Sequence, residues 1–295
     1  MLNIKLSLLK FSTLALSIFL ISSCSNNEQE VVTASADNTL LLKNLSDFNN
    51  SYEHNQAALK CSGFWECLGD VVVVAGADIA GAAGGVVAVK EAALVLGATT
   101  GGTGGVVLVV GAGVVVGAGT SIVAARSLDS SKRLASASHG TLKITLPTDY
   151  FYLQNVGIDH NNVLQNNFFN DEPIDKYYSS LKLTADQIKI MDSEYMKEAN
   201  KKLEVISSNY VKNKFDYKTM TQEMKDQKLL TADMKDILDL FLEKYVSCSE
   251  DQEIESTVNF YIKEVSASKL TEIEKQGLLA SFMVASESPY YWMGK

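Results

Sequence analysis

Histidine, cysteine and serine side chains are the strongest candidates in this chain for metal binding and nucleophilic catalysis. The three histidines, His54, His139 and His160, lie far apart, and none has a neighbour at a metal-ligand spacing. The sequence contains no H-E-x-x-H, C-x-x-C or G-x-S-x-G motif. We therefore predict that the protein is not an enzyme, with no catalytic residue, metal, cofactor or small-molecule substrate.

One glycine-rich run has a spacing known from nucleotide binding. An apolar stretch from Val106 leads into Gly111, Gly113 and Gly117, and such glycines can let a pyrophosphate approach the start of a helix. No strand–helix–strand series surrounds the run, and the earlier glycines 97–105 lack the lysine of a phosphate loop. We therefore reject a nucleotide site.

A second short motif has His160 as its central residue. Gly157, His160 and Asn161 form the pattern G-x-x-H-N. Histidine titrates near neutral pH, so His160 could serve as a ligand or a pH-sensitive contact. The alternative is a histidine packed between helices, with its imidazole bonded to a carbonyl group and Asn161 capping nearby. We favour the packing role.

Cys24 closes an N-terminal segment with the composition of an export signal. Lys5 and Lys10 are the only charges before it, and the apolar run around them is short for a membrane span. The run ends in Ile21-Ser22-Ser23-Cys24, which resembles the lipobox of bacterial lipoprotein precursors. The resemblance implies that residues 1–23 are removed and that Cys24 carries the lipid.

The residues after Cys24 bear on location. Ser25, where some lipoproteins have aspartate, favours the outer membrane in the proteins that this segment resembles. Glu28 and Glu30 are similar to the surface-export signals of Bacteroidota lipoproteins. We expect an exported protein, lipid-anchored in the cell envelope at the outer membrane and exposed on the surface.

The other cysteines and the charge limit the partners. The envelope is oxidising, and Cys61 and Cys67 are close enough in sequence to pair across a turn, although Cys248 makes the count odd and leaves the pairing open.

The formal net charge is −9, and removing residues 1–23 takes away two lysines and no acid. An acidic protein repels nucleic acid, which we exclude as a partner.

The chain divides by composition. We assign residues 24–58 to a tether with a short helix, 59–126 to an apolar hairpin, 127–145 to a linker and 146–295 to a helical domain. Fifteen of the 19 glycines lie between Gly63 and Gly119, and no charged residue occurs from Ala92 to Ala125. This composition predicts two apolar helices, at 66–96 and 104–126.

Glycines at a spacing of four form a glycine zipper, a row of small residues on one helix face. Such a row lets two helix backbones approach closely, as in membrane helices. We assign the face to membrane contact or oligomerisation, with lipid and further copies of the chain as the expected partners. The row comprises Gly81, Gly85, Gly97, Gly101, Gly105, Gly113 and Gly117.

Three fates are open to the hairpin. The ten Val, Leu and Ile residues of 106–125 favour membrane insertion by roughly 3–6 kcal/mol, which the glycines, Thr120 and Ser121 oppose. Asp70 and Asp78 make the first helix costly to insert. We favour membrane contact over burial in a soluble body, and both over strand formation by the β-prone run Val106–Val110.

The C-terminal part has helix-start signals and no strand alternation. Thr184 and Gln187 form a capping-box pattern, and Thr231 precedes a helix with one apolar stripe. We predict an all-α fold that ends in a bundle of five or six helices.

Three stretches resemble uncharacterised exported lipoproteins of Bacteroidota. They are Asn155–Asn161, the final helix Glu274–Trp292, and Phe64-Trp65-Glu66 before an apolar glycine-zipper segment. The hairpin alone is similar to class II bacteriocins. The resemblance implies an architecture. Our leading hypothesis is a non-enzymatic envelope lipoprotein whose hairpin contacts or inserts into membrane, for envelope structure or bacteriocin-like antagonism. The alternative is a surface binding module with the hairpin buried as its core.

Overall fold

The all-α class is confirmed. The computed structural model describes residues 34–53, 69–97, 102–127, 142–169, 173, 175–213, 216–248 and 250–293, and these contain helices and short connections without any strand. The helices are α1 (Ala34–Glu53), α2 (Gly69–Val95), α3 (Gly102–Ser127), α4 (Val156–Val163), α5 (Asp175–Ser180), α6 (Ala185–Met191), α7 (Glu194–Lys212), α8 (Tyr217–Asp226), α9 (Ala232–Tyr245), α10 (Asp251–Ala267) and α11 (Glu272–Met293). A 3-10 turn (Thr148–Leu153) precedes α4, and a π-helical turn (Leu164–Phe169) continues it.

The predicted hairpin helices correspond to α2 and α3. The strand alternative for Val106–Val110 is wrong, since that run lies inside α3. The C-terminal part contains more segments than the five or six helices predicted, because short helices subdivide it. The amphipathic stretch that Thr184 opens is divided into two helices, α6 and α7, and Ser193 starts the second by accepting a hydrogen bond from Met196 N at 3.3 Å.

Side-chain caps start two of the helices where the sequence indicated. Thr184 and Gln187 form the predicted capping box at α6. Thr231 starts α9 by accepting a hydrogen bond from Met234 N at 3.2 Å. These bonds satisfy amide groups that have no partner within the helix.

The hairpin lies in the core of the bundle. Every residue of α2 from Val74 to Val89 is buried, and α3 is buried along most of residues 105–125. Helix α11 packs along α2, while α4 and α7 pack on α3. The hairpin and the C-terminal helices share one hydrophobic core. A helix that is apolar on all sides needs such complete cover, and here other helices of the same chain supply it.

Candidate functional site

A buried polar cluster lies between the hairpin and the C-terminal helices, and Asp78 of α2 is at its centre. Asp78 is fully buried. Its Oδ2 accepts a hydrogen bond from Trp292 Nε1 at 2.9 Å and another from the Ser288 hydroxyl group. Both donors are on α11, so these bonds join the hairpin to the last helix. A buried carboxylate is tolerated only where such donors compensate its lost hydration.

His160 completes the cluster from α4 and is also fully buried. Its Nε2 lies 3.6 Å from Asp78 Oδ1, an oxygen that has no hydrogen-bond partner. Its Nδ1 donates to Asn161 Oδ1 at 3.1 Å, and Asn161 Nδ2 donates to the Glu287 carbonyl at 3.1 Å. The motif therefore links α4 to both α2 and α11. His160 packs between helices, as we favoured, but its imidazole bonds the Asn161 side chain where we expected a carbonyl group, and Asn161 bonds the Glu287 carbonyl where we expected a cap.

The serine beside His160 does not form a catalytic relay with it. Ser121 Oγ lies 3.4 Å from His160 Nε2, the same nitrogen that Asp78 approaches. In a serine–histidine–acid relay the acid and the serine bind opposite ring nitrogens. The Ser121 hydroxyl group donates instead to the Gly117 carbonyl at 2.7 Å, and all three side chains are buried. This geometry supports a structural cluster.

Two glycines make room for the cluster. A Cβ atom at Gly117 would lie 3.3 Å from both His160 Cδ2 and the Asp78 carbonyl. A Cβ atom at Gly157 would lie 2.2 Å from the Met283 carbonyl, so glycine is required where α4 crosses α11. Gly157 thus belongs to the same arrangement as His160 and Asn161 by permitting the close approach of two helices.

Four of the seven glycine-zipper residues, Gly81, Gly85, Gly113 and Gly117, pack within the chain. A Cβ atom at Gly81 would lie 1.9 Å from Thr120 Oγ1, and one at Gly85 would lie 2.5 Å from the Ala112 carbonyl. A Cβ atom at Gly113 would be in ordinary contact with Val86 and Ala280. Gly105 is buried, whereas Gly97 is exposed with φ +67° in the turn after α2. At Gly81, Gly85, Gly113 and Gly117, where the sequence predicted contact with lipid or another copy, the contacts are with helices of this chain. Gly101 lies outside the described residues.

Three of the four cysteines also lie outside the described residues: Cys24, Cys61 and Cys67. Cys248 is a buried free thiol whose Sγ lies 3.4 Å from the Lys244 carbonyl. Burial raises the pKa of this thiol from its ordinary value of 9.0 to about 11.

We predict that Cys248 reacts with maleimide at pH 8 at least about 100-fold more slowly in the folded protein than in denaturant, because the raised pKa removes that much thiolate. The folded state holds the proton more tightly, so this contribution to stability is present below pH 9.0 and is lost as the pH rises toward 11. The measurement is mass-spectrometric labelling in a Cys61→Ser, Cys67→Ser background. Equal labelling rates in the two states would contradict the burial.

Sequence reasoning found only part of the cluster. It singled out His160 and Asn161, but counted Asp78 only as an obstacle to membrane insertion and did not assign a role to Ser288. The signal that could have found the cluster was the position of Asp78 inside a helix of mostly glycine, valine and alanine. A buried acid of this kind needs hydrogen-bond donors around it.

Comparisons with known proteins add no relative. No family model matches the chain, and searches of curated proteins and of solved structures find no similar protein.

Among the described residues no group of three or more His, Cys, Asp or Glu side chains is placed to hold a metal ion.

Proposed function

We propose that this chain is a non-enzymatic envelope lipoprotein, anchored through Cys24, whose helical body is an interaction module with the glycine-rich hairpin as its structural core. The observation that best supports this proposal is the burial of α2 and α3 by helices of the same chain. An apolar hairpin must be buried, and here helices of the same chain bury it without a bilayer. Lipid on Cys24 supplies the membrane attachment.

The polar cluster supports this choice over an inserted hairpin. Asp78 would be costly at the centre of a bilayer, at roughly 2.5–3.5 kcal/mol. In the bundle it accepts hydrogen bonds from Ser288 and Trp292. Insertion of α2 would break these bonds, so the cluster opposes release of the hairpin.

A disulfide between α3 and α11 tests whether the hairpin stays in the bundle while the protein is on a membrane. A Cβ atom at Gly113 would lie 3.6 Å from Ala280 Cβ, within the range of disulfide geometry. We expect the pair Gly113→Cys and Ala280→Cys to oxidise nearly completely in the lipidated protein on intact cells. Cys61, Cys67 and Cys248 are replaced by alanine, and non-reducing electrophoresis after proteolysis reads the cross-link.

The matched control pairs Gly113→Cys with Val246→Cys, an exposed position after the end of α9. This pair should remain reduced. If the Gly113–Ala280 pair oxidised in the unlipidated protein but stayed reduced on the membrane, the hairpin would leave the bundle there, and the proposal would be wrong.

Membrane insertion is a second candidate function, which one observation favours. The segment Gly105–Arg126 is long and apolar enough to cross a membrane, with a mean hydropathy of 2.4, although 72% of its most apolar window is buried inside the protein. After release of the hairpin, its glycine rows would be free for self-association. The same disulfide separates this candidate from the first. Insertion predicts that the reduced protein makes vesicles leak and that oxidation abolishes the leak, whereas a structural core predicts no leak in either state.

A further inference from the structure

The end of α2 carries three consecutive exposed aliphatic side chains. Leu94, Val95 and Leu96 are 57, 70 and 45% exposed. A groove of about 630 Å³ beside them is lined by Ile188 and Tyr195, with charged side chains of both signs at its rim. An apolar tip on an otherwise covered hairpin requires an explanation, because exposed apolar patches mark interaction surfaces.

Contacts along α11 show which helices begin at this end. Gly277, in the second turn of α11, packs against Ala83 and Val86 of α2, while Ser288 near the other end bonds Asp78. Helix α11 is therefore antiparallel to α2 and begins where α2 ends. We call the end of the bundle at which α2 ends and α11 begins the hairpin end.

Helix α1 also begins at the hairpin end. Asn38 donates a hydrogen bond to Asp233 at 2.5 Å, in the first turn of α9. Thr231, which caps α9, donates to Glu274 at 2.7 Å, in the first turn of α11. The first described residue of the chain, Ala34, thus lies at the end that carries the exposed aliphatic residues.

Other exposed apolar side chains lie at the same end. Leu40 is 64% exposed in α1, close after Asn38. Phe151 is 61% exposed, and the tyrosines on either side of it bond Glu272 and Gln276 at the start of α11. Five of the seven large exposed apolar residues in the described part of the chain are therefore at the hairpin end. The other two are Val205 and Val246.

The link between Cys24 and Ala34 limits how the body can face a membrane. Its ten Cα–Cα steps span at most roughly 36 Å. Helix α2 has 27 residues and is about 40 Å long, so the link would have to be almost fully extended to reach the opposite end of the bundle. With the lipid anchoring proposed above, the link therefore favours the hairpin end over the opposite end for contact with the bilayer.

We propose that the hairpin end docks on the bilayer that holds the lipid of Cys24, with Leu94, Val95 and Leu96 in the headgroup region. The docking surface rests on the lipid anchoring proposed above and needs no unpacking of the hairpin. Apolar residues at such an interface lie about 5–10 Å deep, at the boundary between the headgroups and the acyl chains. Because the groove rim carries Lys189 as well as Asp192 and Glu194, zwitterionic lipid should suffice.

Tryptophan quenching tests the docking surface in the lipidated full chain. Leu96→Trp and, as a matched control at the opposite end, Val246→Trp are made in a Trp65→Phe background. Each protein is reconstituted on vesicles of phosphatidylcholine and phosphatidylethanolamine, with and without brominated phosphatidylcholine. We expect roughly a twofold loss of the added fluorescence for Leu96→Trp and no loss for Val246→Trp.

Flotation of the vesicles reports anchoring separately from docking. If the protein floats and Leu96→Trp is quenched no more than Val246→Trp, the docking surface is wrong while the anchoring proposal stands. If the protein fails to float, the anchoring is wrong, and the docking surface is wrong with it. Quenching of Leu96→Trp alone in floating protein supports both.

Discussion

Replacing Gly85 by alanine is expected to lower the free energy of unfolding by about 2–3 kcal/mol. The new Cβ atom would lie 2.5 Å from the Ala112 carbonyl and 2.7 Å from Val116 Cβ. The first of these atoms is backbone, so α2 and α3 would have to move apart along their shared contact. The loss outweighs the gain of up to about 1 kcal/mol that alanine brings to a helix. Chemical denaturation of the unlipidated protein measures it.

Gly113→Ala is the matched control, since Gly113 is also a buried glycine in a hairpin helix. Its Cβ atom would have neighbours no closer than 3.4 Å, which is ordinary contact. We expect this variant to be within about 1 kcal/mol of the parent protein and on the stabilising side. Equal effects of the two substitutions would show that α2 and α3 are not packed as described.

Replacing Asp78 by alanine is expected to cost about 3 kcal/mol or more. The change removes the acceptor of two donors on α11, Ser288 and Trp292, and leaves a cavity in the core. Asp78→Asn retains one oxygen acceptor and should cost less. The measurement is again denaturant unfolding, with near-ultraviolet circular dichroism to follow the environment of Trp292.

The control for charge alone is Asp47→Ala on α1. Asp47 pairs with Lys43 at 2.5 Å, and the side chains are 60 and 65% exposed. Removing an exposed pair of this kind should change stability by no more than about 0.5 kcal/mol. If Asp78→Ala were as mild as Asp47→Ala, the cluster would not be holding the hairpin against α11.

The helices were predictable because their signals are local. Glycine spacing and the absence of charge were sufficient to place α2 and α3, and capping side chains placed the starts of α6 and α9. Short breaks were harder, because Ser193 interrupts an amphipathic stretch that otherwise continues. Because the amphipathic pattern continues past Ser193, it does not show that this serine caps a new helix.

The fate of the hairpin was not predictable from its own residues. A helix that is apolar on every side satisfies the same composition rules in lipid and in a protein core. The deciding contacts join Asp78 to residues more than 200 positions away on α11. The sequence of α11 alone does not show that Ser288 and Trp292 bond an acid on α2. The cluster could therefore be recognised only from the arrangement of the helices.

Alkaline carbonate extraction of an unlipidated variant tests most directly whether the hairpin is protein core. The variant carries Cys24→Ser and is exported by an ordinary signal peptide, so that no lipid holds it. We predict that it is released from membranes by the wash and recovered as a folded, soluble protein, because α2 and α3 remain inside the bundle. If it sediments with membranes after the wash, the hairpin is itself a membrane element, and the structural-core account is wrong.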